Sequence, residues 1–168
     1  MLNHLKNLTE TLGGSNPLVD SWLQARKQLL VSWYSLVGIK PEKESHTRLD
    51  EMALDQFCHS LVDYLSSGHF KIYQQIIRDL QETSPLTTAV NKLYPQLEHN
   101  TQQIMDYYDD YLLNAIDHDN CMEFQQALSG LAEALGARFA LEDKLIMLAY
   151  QHDLQLLDGA ANNLSRPA

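Results

Sequence analysis

No lysine or arginine occurs between Lys92 and Arg138, and over the whole chain 12 Lys+Arg stand against 22 Asp+Glu, a net charge of −10. Nucleic acid and anionic membrane surfaces recruit proteins through clustered positive charge. Neither is therefore expected as a direct partner; a basic protein surface is. Cysteine is scarce as well. Cys58 and Cys121 lie far apart without metal-site spacing, so no disulfide framework is expected. The pattern Glu-x-x-His is absent, which removes the inward-facing ligand pairs of di-iron helical bundles. Glu98 and His99 are adjacent and diverge on a helix, while His118 falls in a turn. Asp109-Asp110 is followed by Leu113 and Asn114, not by further carboxylates one turn on. Gly-x-Ser-x-Gly and phosphate-binding glycine loops are missing too. No metal, no cofactor and no catalytic group is expected. The opening residues 1–7 lack the apolar core of a signal peptide, and no apolar run is long enough to span a bilayer. A cytoplasmic location is the expectation.

What the chain does have is helical periodicity. With 168 residues and 45% apolar side chains it suits one domain, expected over 1–158 with a flexible tail over 159–168. Strand alternation is absent, and Gly and Pro fall where helices end. The pattern predicts six helices: about 3–12; about 17–37, capped by Asn16 with Pro17 in the first turn and ended by Gly38; from near Thr47 to Ser66-Ser67-Gly68; about 69–82; from Ser84-Pro85 to about Ile116, with Pro95 starting or kinking its main body; and from the Asn120-x-x-Glu123 cap to about Leu157. A polar loop is expected at 40–45 and a turn at 117–119. Leu97, Thr101, Ile104, Tyr108, Leu112 and Ala115 share one face of the fifth helix. Phe124, Leu128, Leu131, Leu135, Leu145 and Ala149 share one face of the last. Long helices joined by short turns predict an all-α fold, an antiparallel four-helix bundle with additional short helices.

Three features stand out from that frame. The segment without Lys or Arg carries Glu98, Asp106, Asp109, Asp110, Asp117, Asp119, Glu123 and Glu133. That is either a solvated face, a dock for a basic partner or a mimic of nucleic-acid charge. Next, on the third helix Ala53, Leu54, Phe57, Cys58, Leu61, Tyr64 and Leu65 form an apolar arc. Asp63 lies opposite, on a face with Asp55, Gln56, His59 and Ser66, and Phe70 follows just beyond Gly68. An exposed acid beside an aromatic anchor fits a binding hot spot. Residue physics alone favours the alternative, in which Phe70 packs and Asp63 merely solvates. Finally, Arg26 lies between Trp22 and Trp33 on the stripe of its helix, and Arg138 and Glu142 lie within the stripe of the last helix. A stripe Arg can snorkel to water. Three such residues on helices that should pack together favour a buried or semi-buried polar network, with Tyr108 as a further member and with acceptors beyond the single Glu142.

The sequence also contains Leu36-Val37-Gly38-Ile39-Lys40-Pro41, Ser60-Leu61-Val62-Asp63-Tyr64-Leu65-Ser66-Ser67-Gly68-His69-Phe70, Tyr94-Pro95-Gln96-Leu97-Glu98, Thr101-Gln102-Gln103-Ile104-Met105-Asp106-Tyr107-Tyr108, Ala115-Ile116-Asp117-His118-Asp119-Asn120 and Leu141-Glu142-Asp143-Lys144-Leu145-Ile146. In these strings and their order, residues 1–150 resemble the regulator of sigma D (Rsd/AlgQ) family. The resemblance implies an all-helical anti-sigma factor of enteric and related bacteria. It would bind the housekeeping sigma factor, sigma-70, chiefly through its C-terminal domain, a basic helix-turn-helix that reads the upstream promoter element and contacts core RNA polymerase. Binding would withhold that domain from both, favouring alternative sigma factors in stationary phase. Asp63 and Phe70 match positions that the family uses at the sigma interface, which reverses the reading from residue physics alone. A role as an acidic helical adaptor for other stress or metabolic signalling proteins fits the same features.

Overall fold

The structure, a computed structural model, describes the backbone of residues 16–38, 48–79, 85–113 and 121–164, with side chains over 16–38, 51–68, 71–78, 87–113 and 122–150. The expected first helix, the 40–45 loop, the Thr47 and Asn120 caps and the 117–119 turn lie outside the described residues. All the described elements are helical: α1 Pro17–Val37, α2 Arg48–Ser67, a π-helical turn Gly68–Tyr73, α3 Gln74–Asp79, α4 Pro85–Tyr107, a second π-helical turn Tyr108–Leu112, and α5 Cys121–Leu164. None of these helices is long and apolar enough to cross a membrane.

α1 starts as its sequence dictates. Asn16 Oδ1 accepts from the backbone N–H of Leu18 at 2.8 Å and of Val19 at 3.4 Å, satisfying donors that the first turn cannot. Pro17 needs no such acceptor. Pro95 sits inside α4, which starts at Pro85 as expected, and it leaves the Asn91 carbonyl without its helical donor. Two expected helix ends are passed over. Ser66-Ser67-Gly68 does not end a helix. The backbone runs on from α2 through the π-helical turn into α3, because Gly68 is buried against Tyr73 and stays helical. α5 likewise passes the expected end at Leu157 and Gly159 and continues to Leu164.

The long helices pack as two pairs. Trp33 meets Phe57, and Trp22 meets Tyr64, so α1 and α2 run in opposite directions. Asn100 Nδ2 donates to the Ala134 carbonyl at 2.9 Å, and Arg138 reaches the Leu97 carbonyl, so α4 and α5 do the same. One apolar core joins the pairs, including Trp22, Leu29, Leu36, Phe57, Leu61, Ile104, Leu131, Leu135, Phe139 and Ile146. At its α4–α5 end the Tyr107 ring lies on Gly130. A Cβ there would overlap the Tyr107 hydroxyl and lie 2.6 Å from Cζ. Gly130→Ala is therefore expected to lose the ~1 kcal/mol that alanine gains over glycine in a helix by displacing Tyr107. In the background of Tyr107→Ala the same change is expected to stabilise. Urea unfolding of the four proteins of that cycle measures it, and equal effects of Gly130→Ala in both backgrounds would refute the contact.

Candidate partner-binding surface and the polar network beneath it

The outer face of α2 carries Asp55, His59, Asp63 and Ser66, all exposed. Their spacing of four, four and three residues keeps them in one ridge along the helix. His59 Nδ1 lies 2.9 Å from the Asp55 carbonyl and 3.4 Å from Asp55 Oδ1, with both side chains open to solvent. A groove of about 310 Å³ follows the ridge on the side of the second π-helical turn, lined by Leu54, Cys58, Val62, Tyr108 and Leu113 among others. Val62, 38% exposed, also lines an adjoining groove of about 430 Å³ against α4, with Leu65, Ser66, Glu98 and Met105. On its other flank Asp63 borders a polar hollow with Gln28, Ser60, Ser67 and Lys71. The ridge is thus an acidic and polar crest with apolar floor on one side. Such a surface offers a basic partner both a charge and a place for an apolar anchor. Burial, with Asp55 adding to it, pushes the Cys58 thiol up to about 11, so Cys58 lines the groove as a neutral, small apolar group. Phe70 belongs to the π-helical turn Gly68–Tyr73 by its backbone, and its side chain lies outside the described residues. Among the described residues no group of three or more His, Cys, Asp or Glu is placed to hold a metal ion.

Directly behind the ridge, Tyr64 turns inward. Here Arg26, Arg138 and Glu142 meet, each no more than 1% exposed. Glu142 organises the group. Its Oε1 accepts from Tyr73 Oη at 2.8 Å and from Arg138 Nε at 2.8 Å. Its Oε2 accepts from Arg26 Nη2 at 3.0 Å and from Tyr64 Oη. All four acceptor positions of the carboxylate are thereby used. Around it, Tyr64 Oη accepts from Trp22 Nε1 at 3.1 Å and Arg26 Nε at 3.3 Å. Tyr73 Oη accepts from Arg138 Nη2 at 2.9 Å. Arg138 Nη1 donates to Thr101 Oγ1 at 2.6 Å and the Leu97 carbonyl at 3.1 Å. Arg26 Nη1 donates to Asp143 Oδ1 at 2.7 Å. Two guanidiniums and two carboxylates leave the cluster neutral. The Arg26 guanidinium also lies 4.7 Å from the Phe139 ring centroid, within cation–π range.

The electrostatics follow from this layout. Burial alone would favour uncharged arginines. Against it, Tyr64, Glu142 and Asp143 hold the Arg26 pKa above its ordinary value, and Glu142 and Tyr73 do so for Arg138. Burial, then the nearby Glu142 charge, pushes both the Tyr64 and the Tyr73 hydroxyl well above the ordinary tyrosine range. Both hydroxyls thus stay protonated donors.

The structure brings together Arg26, Arg138 and Glu142 of the expected set and leaves Tyr108 out. Tyr108 lines the groove beside Asp55 and Cys58. It lies seven residues past Thr101, about 10 Å farther along the helix axis, so it shares the stripe's angle but not its height. The members that sequence periodicity missed are Tyr64, Tyr73, Thr101 and Asp143. Tyr64 and Tyr73 sat in apolar stripes, where a phenol reads as core. The signal for them was the general need of a buried hydroxyl for a partner.

A profile of the family described as "Regulator of RNA polymerase sigma(70) subunit, Rsd/AlgQ" matches residues 1–150. Over the full length of both chains the sequence is 64% identical to a protein named Regulator of sigma D from Enterobacter sp. (strain 638). It is 62% identical, again over both full lengths, to proteins of the same name from Salmonella arizonae and Salmonella newport. A match of this extent covers the α2 ridge and all the network residues, and the chain belongs to the Rsd/AlgQ family of regulators of the RNA polymerase sigma(70) subunit.

Proposed function

We propose that the chain is an anti-sigma factor of the cytoplasm that acts by binding alone. It captures the housekeeping sigma-70 subunit, chiefly by its basic C-terminal domain, and withholds that domain from core RNA polymerase and promoter DNA. Alternative sigma factors then gain the core enzyme in stationary phase. Membership of the family carries this reading. The exposed crest of Asp55, His59, Asp63 and Ser66, with its apolar grooves, supplies a surface that fits it. The crest's acids complement a DNA-reading face, and sequestration needs shape and charge but no reacting group. Direct nucleic-acid binding, membrane binding and a cofactor have no part in it.

Purified sigma-70 is expected to comigrate with the protein in gel filtration at low salt as a 1:1 complex, with an interface of about 1,200–2,000 Å² in total. Association should slow as salt rises. Absence of comigration rejects the reading, and a pull-down recovering only stress or metabolic signalling proteins would favour the adaptor role. Asp63→Arg and Phe70→Ala are each expected to weaken sigma-70 binding about thirtyfold or more, roughly 2 kcal/mol, with folding retained. Calorimetry decides this residue by residue: a variant that binds like the parent lies outside the hot spot.

A further inference from the structure

The π-helical turn Gly68–Tyr73 joins α2, which carries the crest, to α3. A π-helical turn holds an extra residue relative to an α-helix and occurs mostly as a single wide turn inside an α-helix, frequently at functional sites. It also resets phase. Tyr64 and Tyr73 are nine residues apart, so in an unbroken α-helix, at about 100° per residue, they would point to opposite sides, about 180° apart. One extra residue sets the phase back by about 100°, which leaves the two tyrosines about 80° apart and able to reach one target. That target is Glu142. Tyr64, on the N-terminal side of the turn, donates to Oε2, and Tyr73, the last residue of the turn, donates to Oε1 at 2.8 Å. Tyr73 Oη also accepts from Arg138 Nη2 at 2.9 Å, and its ring folds back over Gly68, where an added Cβ would stand 3.4 Å from the hydroxyl. The carboxylate therefore grips the helix both before its wide turn and at the turn's last residue. If α-helical winding replaced the turn, Tyr73 would swing away from Glu142, and everything after Gly68 would rotate relative to Asp63 and Ser66.

We infer that Glu142 is a positioning residue for partner binding: by holding Tyr64 and Tyr73 together it locks the π-helical register that sets residues 68–79 against the α2 crest. This rests on the crest being the sigma-binding surface. Glu142 itself is buried and touches no partner; it acts through the two tyrosines. The lock is an element with two discrete windings whose balance sets apparent affinity, since affinity falls in proportion to the fraction in the competent state.

Tyr73→Phe tests it most cleanly, because it removes the hydroxyl without opening a cavity; Tyr64→Phe and Glu142→Gln accompany it. The control is Phe124→Leu, which loosens the core at the start of α5, far from the turn, and is expected to bind sigma-70 like the parent protein. Tyr73→Phe is expected to weaken sigma-70 binding about tenfold, near the effect of losing one hydrogen bond to a charged acceptor. Without any partner, it should speed amide exchange at 68–79 more than in α4 or α5. Parental affinity with unchanged exchange at 68–79 overturns the proposal. So does an affinity loss shared equally by Phe124→Leu, since that reports stability and not register. If the parent protein fails to bind sigma-70, the sigma reading falls, while the exchange pattern still decides whether Glu142 holds the register.

Discussion

Glu142→Ala is expected to cost about 3–5 kcal/mol of folding stability, the range for removing one partner from a buried ion pair. The reason lies in who depends on that carboxylate. Without it, Arg138 keeps only Thr101, the Leu97 carbonyl and the Tyr73 hydroxyl, none of them charged. Arg26 keeps Asp143. Tyr64 and Tyr73 lose the acceptor for their protons. With both arginines about 1% exposed, water cannot replace the lost partner without reopening the core. The fall should be near 10 °C in Tm for a chain of this size, and it is a large share of a typical total stability. Arg138→Met should cost less, because Glu142 would still hold Arg26, Tyr64 and Tyr73 and the methionine would fill the space. Urea unfolding at pH 7 measures both. A loss under about 1 kcal/mol for Glu142→Ala would show that the arginines find solvent. The network is not thereby a net source of stability, since well-packed apolar replacements of buried ion pairs are often neutral or better. Its contribution is to tie α1, α2, α4, α5 and the first π-helical turn at one level.

The second large effect is expected in alkali. Tyr64 and Tyr73 are 3% and 2% exposed, and burial, then Glu142, raises both hydroxyls above the ordinary tyrosine value of 10.0. The sign follows from proton binding. Above pH 10 the unfolded chain releases these two protons while the folded chain keeps them, so the folded state binds more protons and loses stability as pH rises. Below pH 10 both states hold the protons, and the contribution is complete. These two protons contribute a slope of about 2.7 kcal/mol per pH unit, and Cys58, whose thiol is pushed up to about 11, with Tyr94 and Tyr108, whose hydroxyls are also raised, adds to it. Arg26 and Arg138 add nothing in this window, because both states keep them charged. Urea midpoints between about pH 9.5 and 11.5 should fall steeply, and Tyr73→Phe should remove one proton's share of the slope, about 1.4 kcal/mol per pH unit. A flat profile would mean that the hydroxyls are open to water in the folded state.

Several parts of this protein could be read directly from its residues. Asn16-Pro17 starts α1 where those two side chains require it, because a cap acts over three residues and needs no tertiary help. The stripes of α4 and α5 place Leu97, Ile104, Leu131 and Leu135 inside. Arg26, Arg138 and Glu142 were legible as anomalies, since a charge on an apolar stripe contradicts its surroundings whatever the fold. The family strings were legible as strings, and they pointed to the sigma-70 regulators with no structure in view.

Periodicity could not supply height or phase. A stripe reports the angle at which a side chain leaves its helix, and Thr101 and Tyr108 share that angle. Only the antiparallel pairing of α4 with α5 sets Arg138 level with Thr101 and leaves Tyr108 about 10 Å away. Phase fails at Gly68, where glycine after two serines reads as a stop and burial keeps the backbone helical instead. The extra residue of the π-helical turn then brings Tyr73 to Glu142 beside Tyr64, against the simple count of nine. Asp143 was hidden for a related reason. Neighbours on a helix point about 100° apart, yet Arg26 on α1 has a fork wide enough to bind both Glu142 and Asp143. Local chemistry along the chain determined the helices, the charge and the family, because each depends on residues near in sequence. The tertiary structure decided which hydroxyls and carboxylates meet two buried arginines, because that depends on how far along its axis each helix is docked.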